Sequence, residues 1–230
     1  MPEPSTRLIE VTEALLGKNE DIATRNRALF REHGMLVLNV LSSPGSGKTT
    51  LIHRTISDLA SEFAIGVIVG DLATDNDAKR LSEAGGPVIQ VTTGTICHLE
   101  ADMVARAARE IGIGGLDILV IENVGNLVCP SAYDLGEDIR IVLLATTEGE
   151  DKPLKYPTMF RTADAVVLNK CDISEVLGFD REAALEAIGA VAPTAPIFEV
   201  SARTGAGLDA FYKYLKDQLA AKRVTSESSL

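Results

Sequence analysis

Along this chain, short apolar blocks alternate with longer stretches in which apolar positions recur at helical spacing. The blocks at 35–41, 65–69, 87–91, 118–121, 141–145, 165–168 and 196–200 read as strands. Most are apolar at nearly every position, as strands buried on both faces are. Helical spacing covers about 49–60, 77–84, 98–111, 181–191 and 208–222. Strand and helix in alternation predict an α/β, doubly wound fold with a mostly parallel sheet flanked by helices. Such sheets bind ligands outside the carboxyl ends of their strands, so the loops after the strands should converge on one functional edge.

Ahead of the first strand, Leu15, Leu16, Ile22, Ala28, Leu29 and Phe30 interleave with Glu13, Lys18, Asp21, Arg25, Arg27 and Arg31. One or two amphipathic helices packed on the domain are expected there, closed by Gly34. The division that follows is a helical extension at 1–34, a main domain at 35–222 and a flexible tail at 223–230. At 230 residues, 46% hydrophobic and 24% charged, the chain suits one large domain with a substantial core. Its 33 acidic against 22 basic residues give a net charge of −11, which argues against nucleic acid or an anionic membrane as partner. No apolar run approaches the length of a membrane span, and the N-terminus lacks a signal-peptide pattern. Three cysteines fit a reducing compartment better than a disulfide framework, so a cytoplasmic location is expected.

The most informative stretch is Ser42-Ser43-Pro44-Gly45-Ser46-Gly47-Lys48-Thr49-Thr50, between the first strand and the next helix. That is the context of a P-loop. Glycines let backbone N–H groups turn toward a polyphosphate, and the helix N-terminus adds positive potential. Lys48 would reach the β- and γ-phosphates, and the Thr49 hydroxyl would hold Mg²⁺. Ser42 stands where the generic pattern has glycine. A surface turn before a helix is the plainer reading, and the register of Gly45, Gly47, Lys48 and Thr49 decides against it.

Asn169-Lys170-Cys171-Asp172 follows the sixth strand and resembles the N-K-x-D element of GTPases, in which the aspartate accepts hydrogen bonds from guanine. Adenine offers the wrong donor pattern and would leave that carboxylate poorly paired. Ser201-Ala202-Arg203 resembles the S-A-x loop that completes a guanine pocket. Together they favour GTP over ATP. Asp71, at the end of the second strand, is placed to orient the attacking water or to contact Mg²⁺, with Thr74 and Asp77 just beyond; Asp75 reads as a helix cap. Glu122, after the most apolar strand, occupies a Walker-B position for Mg²⁺, and Gly125 could offer its N–H to the γ-phosphate. Lys48, Asp71 and Glu122 are the expected catalytic set. No glutamine stands in a water-positioning place, so slow hydrolysis is expected.

Cys97-His98 and Cys129 also fall in loops on this edge. Thiolate and imidazole suit Ni²⁺ or Zn²⁺ far better than Mg²⁺. Three ligands are too few for a closed tetrahedral site, so water or a symmetry mate would complete it. Taken alone, these residues are more readily read as buried inert thiols and a capping histidine. Cys171 reads as filler inside the guanine loop.

S-S-P-G-S-G-K-T-T (42–50), G-D-x-x-T-x-x-D-A-x-R (70–80), T-G-x-x-C-H-L-E-A (93–101), E-N-V-G-N-L-V-C-P (122–130) and N-K-x-D (169–172) together resemble the HypB family. Its members are GTPases of the SIMIBI class of P-loop NTPases that help insert nickel into [NiFe]-hydrogenase. The likeness spans roughly 35–222, and Ser42 agrees with the family's own P-loop. It implies a homodimer when GTP is bound, with Cys97, His98 and Cys129 holding Ni²⁺ or Zn²⁺ at the interface. It implies a Lys-Tyr-Pro element, here Lys155-Tyr156-Pro157, with Lys155 contacting the nucleotide of the opposite subunit. The implied partners are the hydrogenase large subunit and accessory maturation proteins. The cysteine-rich and histidine-rich nickel motifs of some relatives are absent from 1–34. The related UreG family typically carries Cys-Pro-His at its metal element, unlike Cys97-His98 here. A GTPase switch that recruits a maturation partner without binding metal is the competing reading; a small-molecule kinase fits Asn169 to Asp172 poorly.

Overall fold

The computed structural model describes residues 4–72 and 75–227, and side chains between 15 and 225, so Thr74 lies outside the described residues. In chain order the elements are α1 (Pro4–Glu32), β1 (Leu36–Ser42), α2 (Lys48–Leu59), β2 (Ile65–Asp71), α3 (Asn76–Ser82), β3 (Val88–Thr92), α4 (Ala101–Ile111) and β4 (Ile118–Glu122). They continue as β5 (Ile139–Ala145), α5 (Lys152–Lys155), α6 (Pro157–Arg161), β6 (Ala165–Asn169), α7 (Ser174–Leu177), α8 (Arg181–Val191), β7 (Ile197–Glu199) and α9 (Leu208–Glu227). Among the described residues seven strands form one sheet in the order β3-β2-β4-β1-β5-β6-β7, every pairing parallel.

The strands are mostly apolar because the sheet is covered on both sides. Leu36, Leu38 and Val40 of β1 face α2 and α9, meeting Leu51, Ile56, Phe211 and Leu215. Val37 faces the other way, where Phe30 of α1 and Val104 and Ala108 of α4 pack. Further along that face, Leu41, Val142 and Leu168 meet Met159, Phe160 and Ile188. The order reverses at β1, which pairs with β4 on one side and β5 on the other. The register sets Glu122 of β4 level with Val40 and Val69, so the functional ends of β1, β2 and β4 open onto a single crevice at the switch in strand order.

Several boundaries differ from the sequence expectation. The N-terminal extension, expected as one or two helices, is a single helix. α4 begins at Ala101, leaving Cys97 and His98 in the turn ahead of it. β5 begins at Ile139 because Arg140, which breaks the apolar run, is held by Glu137 at 2.6 Å and needs no solvent. The expected tail starts as helix through Glu227, anchored by ion pairs of Lys222 with Asp138 and Arg223 with Asp117.

Candidate functional site

The P-loop is folded by its own hydroxyls. Lys48 is buried, and its Nζ donates to Ser42 Oγ at 2.9 Å. Ser42 Oγ donates to the Ser43 carbonyl at 2.7 Å, and Ser46 Oγ reaches the same carbonyl at 3.0 Å and also contacts Ser42 Oγ. The serine that replaces the generic glycine is thus a rest for the lysine. Gly47 has φ 98°, and a Cβ there would lie 2.6 Å from Asn169 Nδ2. Only glycine fits that position.

Across the crevice, Thr49 Oγ1 donates to Glu122 Oε1 at 2.6 Å. Burial pushes the Glu122 carboxyl up to about 7, against the opposing pull of the Thr49 hydroxyl and the Lys48 charge. Burial likewise lowers Lys48, against the pull of Glu122 and Asp77. Glu122 Oε2 is buried and makes no hydrogen bond. An orphaned carboxylate oxygen beside a threonine hydroxyl fits a hard divalent cation such as Mg²⁺. Pro44, Gly45, Thr50, Asp71, Asp77 and Gly125 line the same cleft, whose volume is about 450 Å³. So does Arg80, unassigned from sequence, whose guanidinium lies 3.8 Å from Asp77 and 3.4 Å from Thr50 Oγ1. Asp75 sits at the N-cap of α3 but does not cap it; its carboxylate pairs with Lys79 at 2.7 Å.

A second cavity of about 430 Å³ adjoins the first, lined by Gly47, Asn169, Lys170, Asp172, Ser201, Ala202 and Arg203. Asn169 ties its walls together: Nδ2 donates to the Ser46 carbonyl at 2.9 Å, and Oδ1 accepts from Ala202 N–H at 3.0 Å. Lys170, at φ 64°, donates to the Gly45 carbonyl at 2.7 Å. The Ser201 hydroxyl and Arg203 hold the Asp172 carboxyl below its usual range, so it presents a negative acceptor to the cavity. Lys155 stands apart from both cavities, paired with Asp151 at 2.7 Å on α5.

Cys97, His98 and Cys129 place their ligand atoms within 4.8 Å of one another, the one such group among the described residues. Cys129 opens a short 3₁₀ turn to Ala132. The Cys97 thiol is raised first by its hydrogen bond to Cys129 and then by burial. Neither ring nitrogen of His98 has a hydrogen-bond partner, though both are buried. The ring stacks on Tyr133 with centroids 3.9 Å apart, and Glu100 lies 3.8 Å from Nε2. Burial lowers the His98 pKa and keeps the imidazole in the neutral form that ligates metals. Two sulfurs and an orphaned imidazole fit a borderline or soft cation such as Ni²⁺ or Zn²⁺. Cys171 takes no part: its thiol donates to the Leu168 carbonyl at 3.2 Å, as a filler would.

Asn123 joins the two regions. Its Oδ1 accepts from Leu99 N–H at 3.2 Å and from its neighbour Val124 N–H at 2.9 Å, while Nδ2 donates to Asn39 Oδ1. Asn126 Nδ2 donates to the Cys97 carbonyl at 3.3 Å. These asparagines stand inside the E-N-V-G-N motif, yet sequence reasoning gave them no role. A lone polar residue in an apolar strand, Asn39, was the available signal.

The family model for "CobW/HypB/UreG, nucleotide-binding domain" matches residues 36–199. The hydrogenase maturation factor HypB of Rhizobium leguminosarum bv. viciae is 47% identical over 221 residues, which are 96% of this chain and 74% of that protein. The crystal structure of HypB from Helicobacter pylori in complex with nickel is 43% identical, superposes with a TM-score of 0.84, and matches 90% of this chain and 97% of its own. HypB from Archaeoglobus fulgidus is 37% identical with a TM-score of 0.83, covering 88% of this chain and 99% of that one. With the P-loop, the Asn169 to Asp172 loop and the Cys97, His98 and Cys129 group in these places, the chain belongs to the HypB family of hydrogenase maturation factors.

Proposed function

We propose that this protein is a GTP-hydrolysing nickel metallochaperone that assists nickel insertion into [NiFe]-hydrogenase. One observation carries the reading. Glu122 accepts from the P-loop hydroxyl of Thr49, and its neighbour Asn123 accepts from the backbone of the loop that holds Cys97 and His98. Groups suited to a polyphosphate and groups suited to a soft cation therefore meet at adjacent residues. The nickel bound by the Helicobacter pylori relative supports the choice of cargo.

In this reading Lys48 and the P-loop amides neutralise the β- and γ-phosphates, and Asp172 selects guanine. Thr49 and Glu122, with Asp71 and Asp77 beside them, hold Mg²⁺, which when bound would offset charge developing on the phosphates. Asp71 orients the attacking water. Hydrolysis is slow, since no glutamine aids it. Cys97, His98 and Cys129 leave a coordination position open, which suits cargo that must also depart. A GTP-bound homodimer sets two such sites together and brings Lys155 to the partner subunit's nucleotide. Loss of the γ-phosphate relaxes Glu122 and Asn123 and changes nickel affinity. The hydrogenase large subunit and accessory maturation proteins receive or supply the metal in the cytoplasm; among the described residues no helix is long and apolar enough to cross a membrane.

The test is a Ni²⁺ titration with GDP and with a non-hydrolysable GTP analogue plus Mg²⁺, recording charge-transfer absorbance and molecular mass together. Thiolate-to-nickel bands that change with nucleotide and vanish in Cys97→Ala are expected. A dimer on the GTP analogue without nickel bands would leave a GTPase switch and return the cysteines to packing.

A further inference from the structure

α1 carries two asparagines, Asn19 and Asn26, that no role in nucleotide or nickel chemistry accounts for. They are seven residues apart, two helical turns, and so share a face. Both are almost fully buried, 6% and 3% exposed. Their amides make four hydrogen bonds, all to backbone far away in sequence. Asn19 Oδ1 accepts from Ala101 N–H at 2.8 Å, and Asn26 Nδ2 donates to the Ala101 carbonyl at 2.9 Å. Asn19 Nδ2 donates to the Asp134 carbonyl at 2.7 Å, and Asn26 Nδ2 donates to the Leu135 carbonyl at 3.0 Å.

The two segments held are those that carry the ligands. Ala101 is the third residue after His98. Asp134 and Leu135 directly follow Tyr133, whose ring stacks on His98, and lie just beyond Cys129. Ala101 is also the first residue of α4, whose N–H has no partner inside its own helix. Glu100 occupies the N-cap without capping through its side chain, so an asparagine from another helix does the work and leaves Glu100 beside His98. The second segment is pressed close to α1. Gly136, at φ 90°, would place a Cβ 2.7 Å from the Ala23 carbonyl and from Asn26 Cβ. Arg27 adds a two-pronged ion pair to Asp134 at 2.7 and 2.8 Å.

We infer that α1 is the positioning element of the nickel site, with Asn19 and Asn26 clamping the Cys97–His98 arm to the Cys129–Tyr133 arm and fixing the distance between their ligands. The inference rests on the nickel reading above. Groups that orient metal ligands from behind change affinity by roughly tenfold to a hundredfold when removed. A merely structural asparagine would lower stability and leave metal binding alone.

The experiment compares Ni²⁺ affinity and charge-transfer spectra of the full chain, Asn26→Ala, Asn19→Asp and Cys97→Ala, with Leu215→Ala as a destabilised control on the opposite face of the sheet. Asn19→Asp keeps the acceptor for Ala101 but sets a carboxylate oxygen against the Asp134 carbonyl, so it turns that bond into a repulsion and tests the second arm in a chain that retains the other three bonds. Both asparagine variants should bind Ni²⁺ roughly ten or more times more weakly, with shifted thiolate-to-nickel bands and GDP affinity within about twofold of the parent. Leu215→Ala should lose stability but keep the parent's bands. If Cys97→Ala abolishes the bands while both asparagine variants keep the parent's affinity and spectrum, the clamp is wrong and the nickel reading stands. If Leu215→Ala weakens nickel as much as they do, the effect is general destabilisation and the clamp is again wrong. If the parent shows no bands, or Cys97→Ala keeps them, the nickel reading fails and the clamp with it.

Discussion

The Oδ1 of Asn123 and the N–H of Leu99 meet at 3.2 Å, and this hydrogen bond ties the end of β4 to the turn that carries Cys97 and His98. Asn123 is 1% exposed and spends its whole amide internally, on Leu99, Val124 and Asn39. Asn39 in turn receives nothing from solvent and donates to Glu137 at 3.1 Å. Glu137 also accepts from Arg140 and from Leu135 N–H, so the chain of bonds returns to the segment beyond Cys129. A buried network with every member satisfied is rigid, and it moves as a unit if one end moves.

Asn123→Ala should therefore do two things. It removes the partner of Leu99 N–H, Val124 N–H and Asn39 Oδ1 in the interior, which costs about 1–3 kcal/mol for each group that finds no water. A lowered urea midpoint would register this. It should also sever the nucleotide from the metal loop, so that nickel affinity becomes equal with GDP and with a GTP analogue. A variant that still distinguished the two nucleotides would place the coupling elsewhere.

Much of the site was legible because its chemistry is local. Ser43 to Thr50, Asn169 to Asp172 and Cys97-His98 are contiguous, and each follows an apolar block that could only be a strand. The parallel order of the strands then brings them to one edge. What escaped was non-local. Asn19 and Asn26 fall at ordinary positions on an amphipathic helix, and their partners lie 75 to 115 residues away. No periodicity reports a hydrogen bond of that reach. Arg140 hid the start of β5 because its guanidinium is neutralised by Glu137, a partner outside the strand. The short α5 and α6 are set by Pro153 and Pro157 near their first turns and by burial of Met159 and Phe160, not by any repeating stripe.

Guanine selection should follow the charge of residue 172. Asp172→Asn replaces a two-fold acceptor with an amide that offers a donor to guanine's own donors. The amide keeps one acceptor oxygen, so one charge-assisted hydrogen bond of about 1.5–3 kcal/mol is lost, which corresponds to GDP binding weaker by roughly tenfold to a hundredfold. Xanthine presents a carbonyl where guanine has its amine, so XDP should lose less or gain. Competition between GDP and XDP on both proteins measures this directly.

Gly47→Ala should damage the nucleotide site without unfolding the chain. The new methyl group meets Asn169 Nδ2 at 2.6 Å and sits on a backbone at φ 98°. The strain falls on the P-loop and on the Asn169 bonds to Ser46 and Ala202. Circular dichroism near that of the parent, with GDP affinity down at least tenfold, is expected from roughly 1.4 kcal/mol or more of local strain. Unchanged GDP affinity would mean that Asn169 can step aside.

Glu122 predicts a pH dependence whose sign is fixed by burial. Its carboxyl is held at about 7 in the folded chain against an ordinary 4.5. Between those values the folded state binds a proton that the unfolded state has released, so stability falls as pH rises through the window. A displacement of that size corresponds to roughly 3 kcal/mol, fully present as a penalty only above pH 7. Burial lowers Lys48, the opposite sense to Glu122, against the pull of the Glu122 and Asp77 charges. The two are separable by substitution. In nucleotide-free and metal-free protein, Glu122→Gln should be more stable than the parent at pH 8 and close to it at pH 4.5, because the neutral amide keeps the shape and sheds the buried charge. Mg²⁺ with a guanine nucleotide should reverse the ranking at pH 8, since a bound cation makes the ionised carboxylate the favoured form. Urea midpoints of both proteins at pH 4.5 and 8, with and without Mg²⁺ and nucleotide, read the whole cycle. A parent whose difference from Glu122→Gln does not change with pH would show that the Glu122 carboxylate is already ionised in the folded chain.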